Sequence, residues 1–426
     1  MKSIIQSVKG TRDFYPEDMS LRIWLYDRIR EVSESFGYRE YDAPFLEKID
    51  LYAAKSGEEL VKEQSFVFPD RSGELIALRP ELTPSLARMV AQRQGTLVFP
   101  LRWWSYGPFW RYERPQKGRT REFFQWNIDL IGGNSPELDA ELVGVCASFF
   151  KKVGLSPEQV VIRVNDRKLM ESELRGVGID DEKRKDVFRM IDRRDKMSPQ
   201  EWETYGLELG LANDQLAALK ALLADRNLWE RSETLPRFFT VLDAMGLRAY
   251  VEYDAGVIRG LEYYTGLVFE AYDRDGGRAV LGGGHYDNLV GDVGGDPLPG
   301  VGFAMGDVMV SLVLKSYNLA PEYQPASEAV LVTVFDEGLM GESIRLATEL
   351  RQAGLQVVCG MEASRLQKQL KFADRLGIGR ALIIGPDEVA NNLVTIKDLT
   401  QRTQLTVKRC EVVSILRGIL AEENGV

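Results

Sequence analysis

Leu21, Trp24, Leu25, Ile29, Val32 and Phe36 recur at three- and four-residue spacing, which predicts a helix over 17–36. Pro16 stands at its start and Gly37 just past its end, the usual punctuation of such an element. "YREYDAPFLE" follows as an extended segment, and Pro44 inside it points to a sheet edge or bulge, because proline donates nothing to a ladder. The reading is a capped edge; an edge of this kind also suits contact with a second subunit. From 95 to 131 the pattern turns to strands rich in Trp, Tyr and Phe, and 136–152 reads as a helix. Residues 166–245 are mostly helical and dense in charge, as an inserted helical domain would be. Strand character returns at 249–272 and 278–281, and "VGFAMG" leads into the apolar helix "DVMVSLVLKSY". The two-proline polar stretch "NLAPEYQPASE" is a domain boundary. Beyond it, strands ("AVLVTVF", "LQVVCG", "RALIIG") alternate with helices, one of them stopped by Gly354. "NLVTIKDL" and "TQLTVKR" form a hairpin. That alternation predicts a small α/β domain with helices covering a mixed sheet.

The segment 109–131, "FWRYERPQKGRTREFFQWNIDLI", alternates strictly in its second half. Arg121, Phe123, Gln125, Asn127 and Asp129 fall on one face, and Phe124, Trp126, Ile128 and Leu130 on the other. The first half, ending at Arg111 and Glu113, pairs with it across a basic loop holding Arg114, Lys117, Gly118, Arg119 and Arg121. A polar sheet face beside a basic loop suits an anionic ligand, phosphate above all. The same pattern also fits an antiparallel sheet wetted on one face, with a charged turn.

Three further stretches carry polar groups. "ALRPELTPSLARMV" sets Arg79, Glu81 and Thr83 at period two before a helix near Pro84, and Arg79 with Glu81 reads as a cross-strand ion pair. "RGLEYYTGLVFEAY" puts Arg259 ahead of Tyr263 and Tyr264 and then a strand through Leu267, Phe269 and Ala271. "GGGHYDNL" has three glycines, read as a tight turn, before the lone histidine, His285.

Composition narrows the classes. The 426 residues are 44% hydrophobic and 28% charged, an ordinary globular balance with room for two to four domains at roughly 100–200 residues each. No apolar run approaches the ~18 residues needed to span a bilayer, and the N-terminus lacks the features of a signal peptide. Cys146, Cys359 and Cys410 are far apart and there is one histidine, so a Cys/His zinc site is excluded and no metal ligand is assigned. A soluble protein of a reducing compartment, the cytoplasm, is expected. The net charge of −10 argues against a generally basic nucleic-acid binder but leaves room for a local basic path.

Taken together, these segments resemble one family. "FWRYERPQKGRTREFFQ" resembles the second signature motif of class II aminoacyl-tRNA synthetases, "YDAPFLE" the first and "GVGFAMGD" the third. With "LRPELT", "RGLEYYTG" and "GGGHYDNL", the combination resembles the histidyl-tRNA synthetases and their close paralogues. "KGTRDFYPED" and "LQKQLKFADRLGIGRALIIGPDEV" extend the likeness nearly end to end.

The resemblance implies an α+β fold: a class II antiparallel sheet flanked by helices, a helical insertion, and a C-terminal α/β domain of anticodon-binding type. The expected bounds are 1–165 and 246–320 for the catalytic domain, 166–245 for the insertion and 328–426 for the last domain. It implies activation of L-histidine with ATP and magnesium, then transfer to the histidine tRNA, by a homodimer. Arg111 and Arg259 would grip the α-phosphate; Glu113, Arg119 and Arg121 would serve the rest of ATP. Glu81 and Asp129 would hold the substrate ammonium, and Thr83, Gln125, Tyr263, Tyr264 and Tyr286 would shape the pocket. Gln116 and Lys117 would meet the tRNA acceptor end, and Arg365, Lys368 and Lys371 the anticodon side.

Two positions depart from the family pattern. Met309 stands where the third motif has an arginine that stacks on adenine, and His285 stands where "GGRYD" has arginine. His285 reads as a structural substitution at the pocket's edge, hydrogen-bonded to a neighbouring loop. These losses admit a rival, a catalytically silent paralogue that regulates ATP phosphoribosyltransferase. That paralogue typically lacks the anticodon-binding domain, whereas this chain keeps it, together with Arg111, Arg121, Arg259 and the "QKGR" loop.

Overall fold

A computed structural model describes residues 4–53, 64–116, 118–258, 264–276, 279–323, 329–360 and 362–423. The chain divides into two compact units, 1–321 and 322–426.

The first unit begins with helix α1 (Pro16–Ser35), whose Pro16 opens the first turn and whose Leu25, Ile29 and Val32 are buried. Strand β1 (Arg39–Glu40) follows, then β2 (Leu46–Lys48), α2 (Ile49–Ala53), β3 (Phe66–Pro69), β4 (Leu75–Leu78) and α3 (Thr83–Arg93). Strands β5 (Leu101–Trp110) and β6 (Glu122–Ile131) form the long antiparallel hairpin that the alternation predicts. Helix α4 (Pro136–Lys152) matches its expected bounds. Ser135 accepts a hydrogen bond from the Leu138 amide, acidic residues fill the first turn, and Lys151 and Lys152 close the last. Next come β7 (Val160–Asp166) and five helices: α5 (Arg167–Gly176), α6 (Asp181–Asp192), α7 (Pro199–Glu208), α8 (Asn213–Ala224) and α9 (Leu235–Ala244). Strands β8 (Val251–Tyr253), β9 (Leu267–Asp273), β10 (Ala279–Tyr286) and β11 (Gly300–Gly306) lead into α10 (Asp307–Ser316). Among the described residues, 249–272 is therefore not one strand: 254–258 and 264–266 lie outside the ladders.

Eight strands make one sheet in the order β1-β5-β6-β11-β10-β9-β7-β8, with β1 parallel to β5 at one edge. Pro44 falls between β1 and β2 rather than inside a ladder. Trp126 anchors the core face, 4.8 Å edge-on to Phe303 and 5.4 Å from Phe149 of α4. Leu142, Phe149 and Phe150 of that helix are wholly buried, each contributing about 1.5–3 kcal/mol of apolar burial. Helices α6, α8 and α9 share this core: Val187, Met190, Leu219 and Phe238 belong to the same apolar cluster.

Two expectations need correction. The polar face of β6 is only partly wetted: Arg121, Phe123 and Gln125 are half-buried, whereas Asn127 and Asp129 are each only 5% exposed. The neighbouring elements cover that end of the face, so Asn127 and Asp129 are interior groups. The triple glycine is not a turn either: Gly282, Gly283 and Gly284 lie inside β10, paired with both β9 and β11. A methyl group at Gly283 would collide with the Gly302 carbonyl, and one at Gly284 would stand 2.7 Å from the Tyr264 ring. Close approach demands the glycines, not a reversal of the chain.

The second unit is a five-stranded mixed sheet in the order β13-β12-β14-β15-β16. Its elements are β12 (Val330–Val332), α11 (Met340–Gln352), β13 (Val357–Cys359), α12 (Leu366–Arg375), β14 (Arg380–Ile383), α13 (Pro386–Asn391), β15 (Leu393–Asp398), β16 (Gln404–Lys408) and α14 (Val412–Glu423). Strand β12 runs parallel to β13 and β14, and β15–β16 is the expected antiparallel hairpin.

Candidate active site

The site is built on the odd-numbered face of β6. Register places Gln125 between Gly107 and Gly306, and Asp129 between Trp103 and Gly302. Those glycines make room: a methyl group at Gly302 would collide with Asp129 Oδ1, and one at Gly107 with Arg79 Nη2. Asp129 accepts a hydrogen bond of 3.1 Å from the Tyr286 hydroxyl. Burial pushes its carboxyl up to about 7, and the Tyr286 bond only partly opposes this. Burial also raises Tyr41 and Tyr286, each facing the Asp129 carboxyl, so both phenols stay neutral. Asn127 lies between Gln125 and Asp129 on this face, and its Nδ2 is buried without a hydrogen bond. Its place in the alternation was legible, but nothing in the sequence marked its amide as unsatisfied.

At the other end of β6, the Arg111 amide donates to Arg121 O at 2.9 Å, closing the hairpin margin. Arg111 Nε donates to Pro80 O at 3.0 Å, which brings it to the segment carrying Glu81 and Thr83, and its guanidinium lies 5.4 Å over the Phe123 ring. Arg119 Nη1 donates to Glu113 Oε2 at 2.8 Å, and Arg121 Nε donates to Glu113 O at 3.2 Å. Arg121 also packs on Tyr112, 4.1 Å from its ring, with its amide bonded to Gly10 O. Arg111, Glu113, Arg119 and Arg121 therefore come together. Gln116 bridges to Arg119 across the loop and is exposed. Tyr264 is buried against Gly284. Arg259, Tyr263 and Lys117 lie outside the described residues.

Arg79 has different partners from those expected. It is fully buried, donates to Asp42 Oδ1 (2.6 Å), Ala43 O (2.9 Å) and Pro108 O (2.9 Å), and lies between the Phe45 and Phe109 rings. It fastens the "YDAPFLE" segment to β5, because a buried guanidinium needs several acceptors and the carbonyls of two segments supply them. His285 also sits differently. It is 3% exposed rather than at a rim, and its Nδ1 is 2.9 Å from Asp139 Oδ1 in the first turn of α4, not on a loop. Met309 is half-buried on α10.

In the second unit, Arg365 precedes the first turn of α12, while Lys368 and Lys371 lie on that helix; all three are exposed, beside exposed Leu366 and Phe372.

Comparison with known proteins gives this geometry a family. The model of the histidyl-tRNA synthetase family matches residues 10–308, and that of the anticodon binding domain matches 328–419. The chain belongs to the histidyl-tRNA synthetase family. A histidine–tRNA ligase of Opitutus terrae is 38% identical, covering 98% of this chain and 99% of the relative. The chloroplastic/mitochondrial histidine–tRNA ligase of Arabidopsis thaliana is also 38% identical, over 94% of this chain and 84% of the relative. The crystal structure of histidyl-tRNA synthetase from Nostoc sp. PCC 7120 superposes with a TM-score of 0.83 at 25% identity, covering 98% and 99% of the two chains. The glycine-lined carboxylate of β6 and the arginine margin of its hairpin thus lie within the region that the family model matches.

Proposed function

We propose that the chain is an active histidine–tRNA ligase. It forms histidyl-adenylate from L-histidine and ATP with release of pyrophosphate, then transfers histidine to the 3′ end of its tRNA. The observation that carries this reading is Asp129: a buried carboxylate hydrogen-bonded to a neutral phenol, on the strand face that leads to clustered arginines. At ~3.4 Å per residue, Asp129, Gln125 and Phe123 descend that face over about 20 Å, the scale of an aminoacyl-adenylate.

In this reading Asp129 and Glu81 hold the ammonium, and Thr83, Gln125, Tyr263, Tyr264 and Tyr286 wall the imidazole. The substrate carboxylate attacks the α-phosphorus in line with departing pyrophosphate. Arg111 and Arg259 neutralise charge on the α-phosphate oxygens, and Arg119 and Arg121 meet the outer phosphates. Fixed charge and orientation supply the rate, since no covalent intermediate on the protein is needed. Magnesium, if carried in by the ATP phosphates, would supply further charge neutralisation. Glu113 is the carboxylate at that margin, and magnesium commonly needs no more than one or two such groups beside phosphate oxygens and water. Among the described residues no group of three His, Cys, Asp or Glu is arranged to hold a metal. Gln116 and Lys117 approach the acceptor end, and Arg365, Lys368 and Lys371 the anticodon side. We assign the domains as 1–165 with 246–320, 166–245 and 328–426, and take the working form as a cytoplasmic homodimer. Among the described residues no helix is long and apolar enough to cross a membrane.

The rival regulatory role is weaker, because residues 328–419 match the anticodon binding domain. Histidine-dependent ATP–pyrophosphate exchange, followed by charging of histidine tRNA, tests the proposal. Exchange and charging are expected from the wild type, and well-folded protein with neither overturns it. Arg259→Ala should abolish exchange while leaving histidine binding intact.

A further inference from the structure

Two consecutive residues of β10 each hold a buried aspartate, on opposite faces of the sheet. Tyr286 bonds Asp129, and His285 bonds Asp139 of α4 at 2.9 Å. The strand needs an anchor at this point. Its ladder to β9 stops at Gly284–Val268, whereas the ladder to β11 continues to Tyr286–Gly300. Beyond Gly284 the Thr265 amide, bonded to His285 O at 2.9 Å, continues support on that side. The preceding Gly282, Gly283 and Gly284 have no side chains to pack, so His285 is the first side chain that can fix the strand end before Tyr286. The proposed mechanism leaves this residue unused.

We propose that His285 is a positioning residue for the histidine pocket: its bond to Asp139 holds the end of β10 against α4, and so holds Tyr286 where its hydroxyl meets Asp129. This rests on the assignment of Asp129 to the substrate ammonium. The charged groups facing the imidazole are Asp139 on α4, Asp287 just past β10, and Lys168 at the start of α5; Asp166 faces Asp139 from the end of β7. Nε2 is 3.4 Å from Asp287 Oδ1, and Lys168 Nζ is 3.9 Å from Asp287 Oδ2. Burial opposes the imidazolium, but the Asp139 bond and the two carboxylates outweigh it, holding His285 above its ordinary value. Asp139 is the fixed acceptor that selects Nδ1–H.

Because His285 is the chain's only histidine, untagged protein labelled with 15N-histidine gives the nitrogen signals of a single imidazole, free of residue assignment. Its expected state is protonated at Nδ1, and unlabelled L-histidine should shift it with the same saturation as equilibrium dialysis. Dialysis with no binding overturns the ligase reading itself; binding that leaves the imidazole signal unmoved overturns this inference alone. In exchange kinetics, His285→Leu should raise the histidine KM about tenfold while kcat and the ATP KM stay within about twofold. His285→Asn, which puts an amide donor near Nδ1, should restore the histidine KM to within about threefold. Folded His285→Leu with unchanged histidine KM, or with all parameters falling together, overturns the proposal. Should that variant fail to fold, the wild-type imidazole signal still decides.

Discussion

Asp129 and Asp139 flank the same strand, both more than nine-tenths buried, yet their partners are opposite in kind. Asp129 has the phenol of Tyr286, which brings no charge; Asp139 has the imidazole of His285, which carries charge when protonated. Burying a carboxylate without a cation is costly, and the molecule answers by raising its proton affinity. Burial raises Asp139 too, but there the His285 bond opposes it; in the proposed reading Asp129 awaits the substrate ammonium, whereas Asp139 has its partner within the chain. The proposed function assigns one to a ligand and the other to architecture, although residue type is the same and both are buried.

The sharpest way to break this contrast is Asp129→Asn. It should lower kcat/KM for histidine about 10²–10³-fold, the ~3–4 kcal/mol lost when one partner of a buried charge pair goes. The melting temperature should hold or rise, because an amide is buried without needing a proton. Exchange kinetics beside thermal melting check both halves; parallel loss of activity and stability would make Asp129 architectural too.

Gly302→Ala comes next. The new methyl group would collide with Asp129 Oδ1 and stand 3.2 Å from Ile128 O, so the carboxylate must turn. Overpacking of this kind costs about 1–3 kcal/mol. The histidine KM should rise about tenfold, with the ATP KM little changed. An unchanged histidine KM would place the ammonium elsewhere.

These groups differ in how far the sequence announces them. The hairpin 101–131, helix 136–152 and the alternating C-terminal unit are legible because their periodicity is local. Asp129 stands out by alternation, and by resemblance gains a role. Partnership across the fold is another matter. His285 and Asp139 are 146 positions apart, Tyr286 and Asp129 157, and Arg79 and Asp42 37. No period links such pairs, so Arg79 is matched in sequence with nearby Glu81 and His285 with a loop. The triple glycine misleads for a related reason: what it accommodates, the Gly302 carbonyl and the Tyr264 ring, is contributed from elsewhere in the chain.

Proton linkage separates Asp129 from His285 without any ligand, whereas burial raises Asp129 and Asp139 in the same direction. Asp129 goes from an ordinary 3.8 to about 7 on folding, so the folded state binds its proton more tightly. Its contribution to stability is present at low pH and falls as pH rises from about 4 to 7, by at most ~1.4 kcal/mol per pH unit for one proton. Asp129→Asn should take that share out of the fall. His285 is raised from 6.5, so its contribution is full below that value and is lost as pH climbs through the folded pKa. His285→Asn should change the curve on that alkaline side. Urea midpoints across pH test this; variants that flatten the same window would merge the two sites into one titrating unit.

The mildest probe is Gly266→Ala, the counterpart of Gly302→Ala on the His285 side. A methyl group there would lie 3.3 Å from His285 Cβ and 3.4 Å from its ring, so the imidazole need give only a few tenths of an ångström. Gly266 is not in the left-handed region, and alanine there also reduces the freedom of the unfolded chain, which offsets part of the crowding by about 0.4–1 kcal/mol. The net change in stability should therefore stay within ~1 kcal/mol, and kcat should not move. The histidine KM is the informative quantity. A rise of about twofold with an unchanged melting temperature would mean that a small displacement of the His285 ring reaches Tyr286 and Asp129, as expected of a clamp. A loss of several degrees with the KM unchanged would instead confine His285 to holding the sheet against α4, and the contrast between the two aspartates would then be complete.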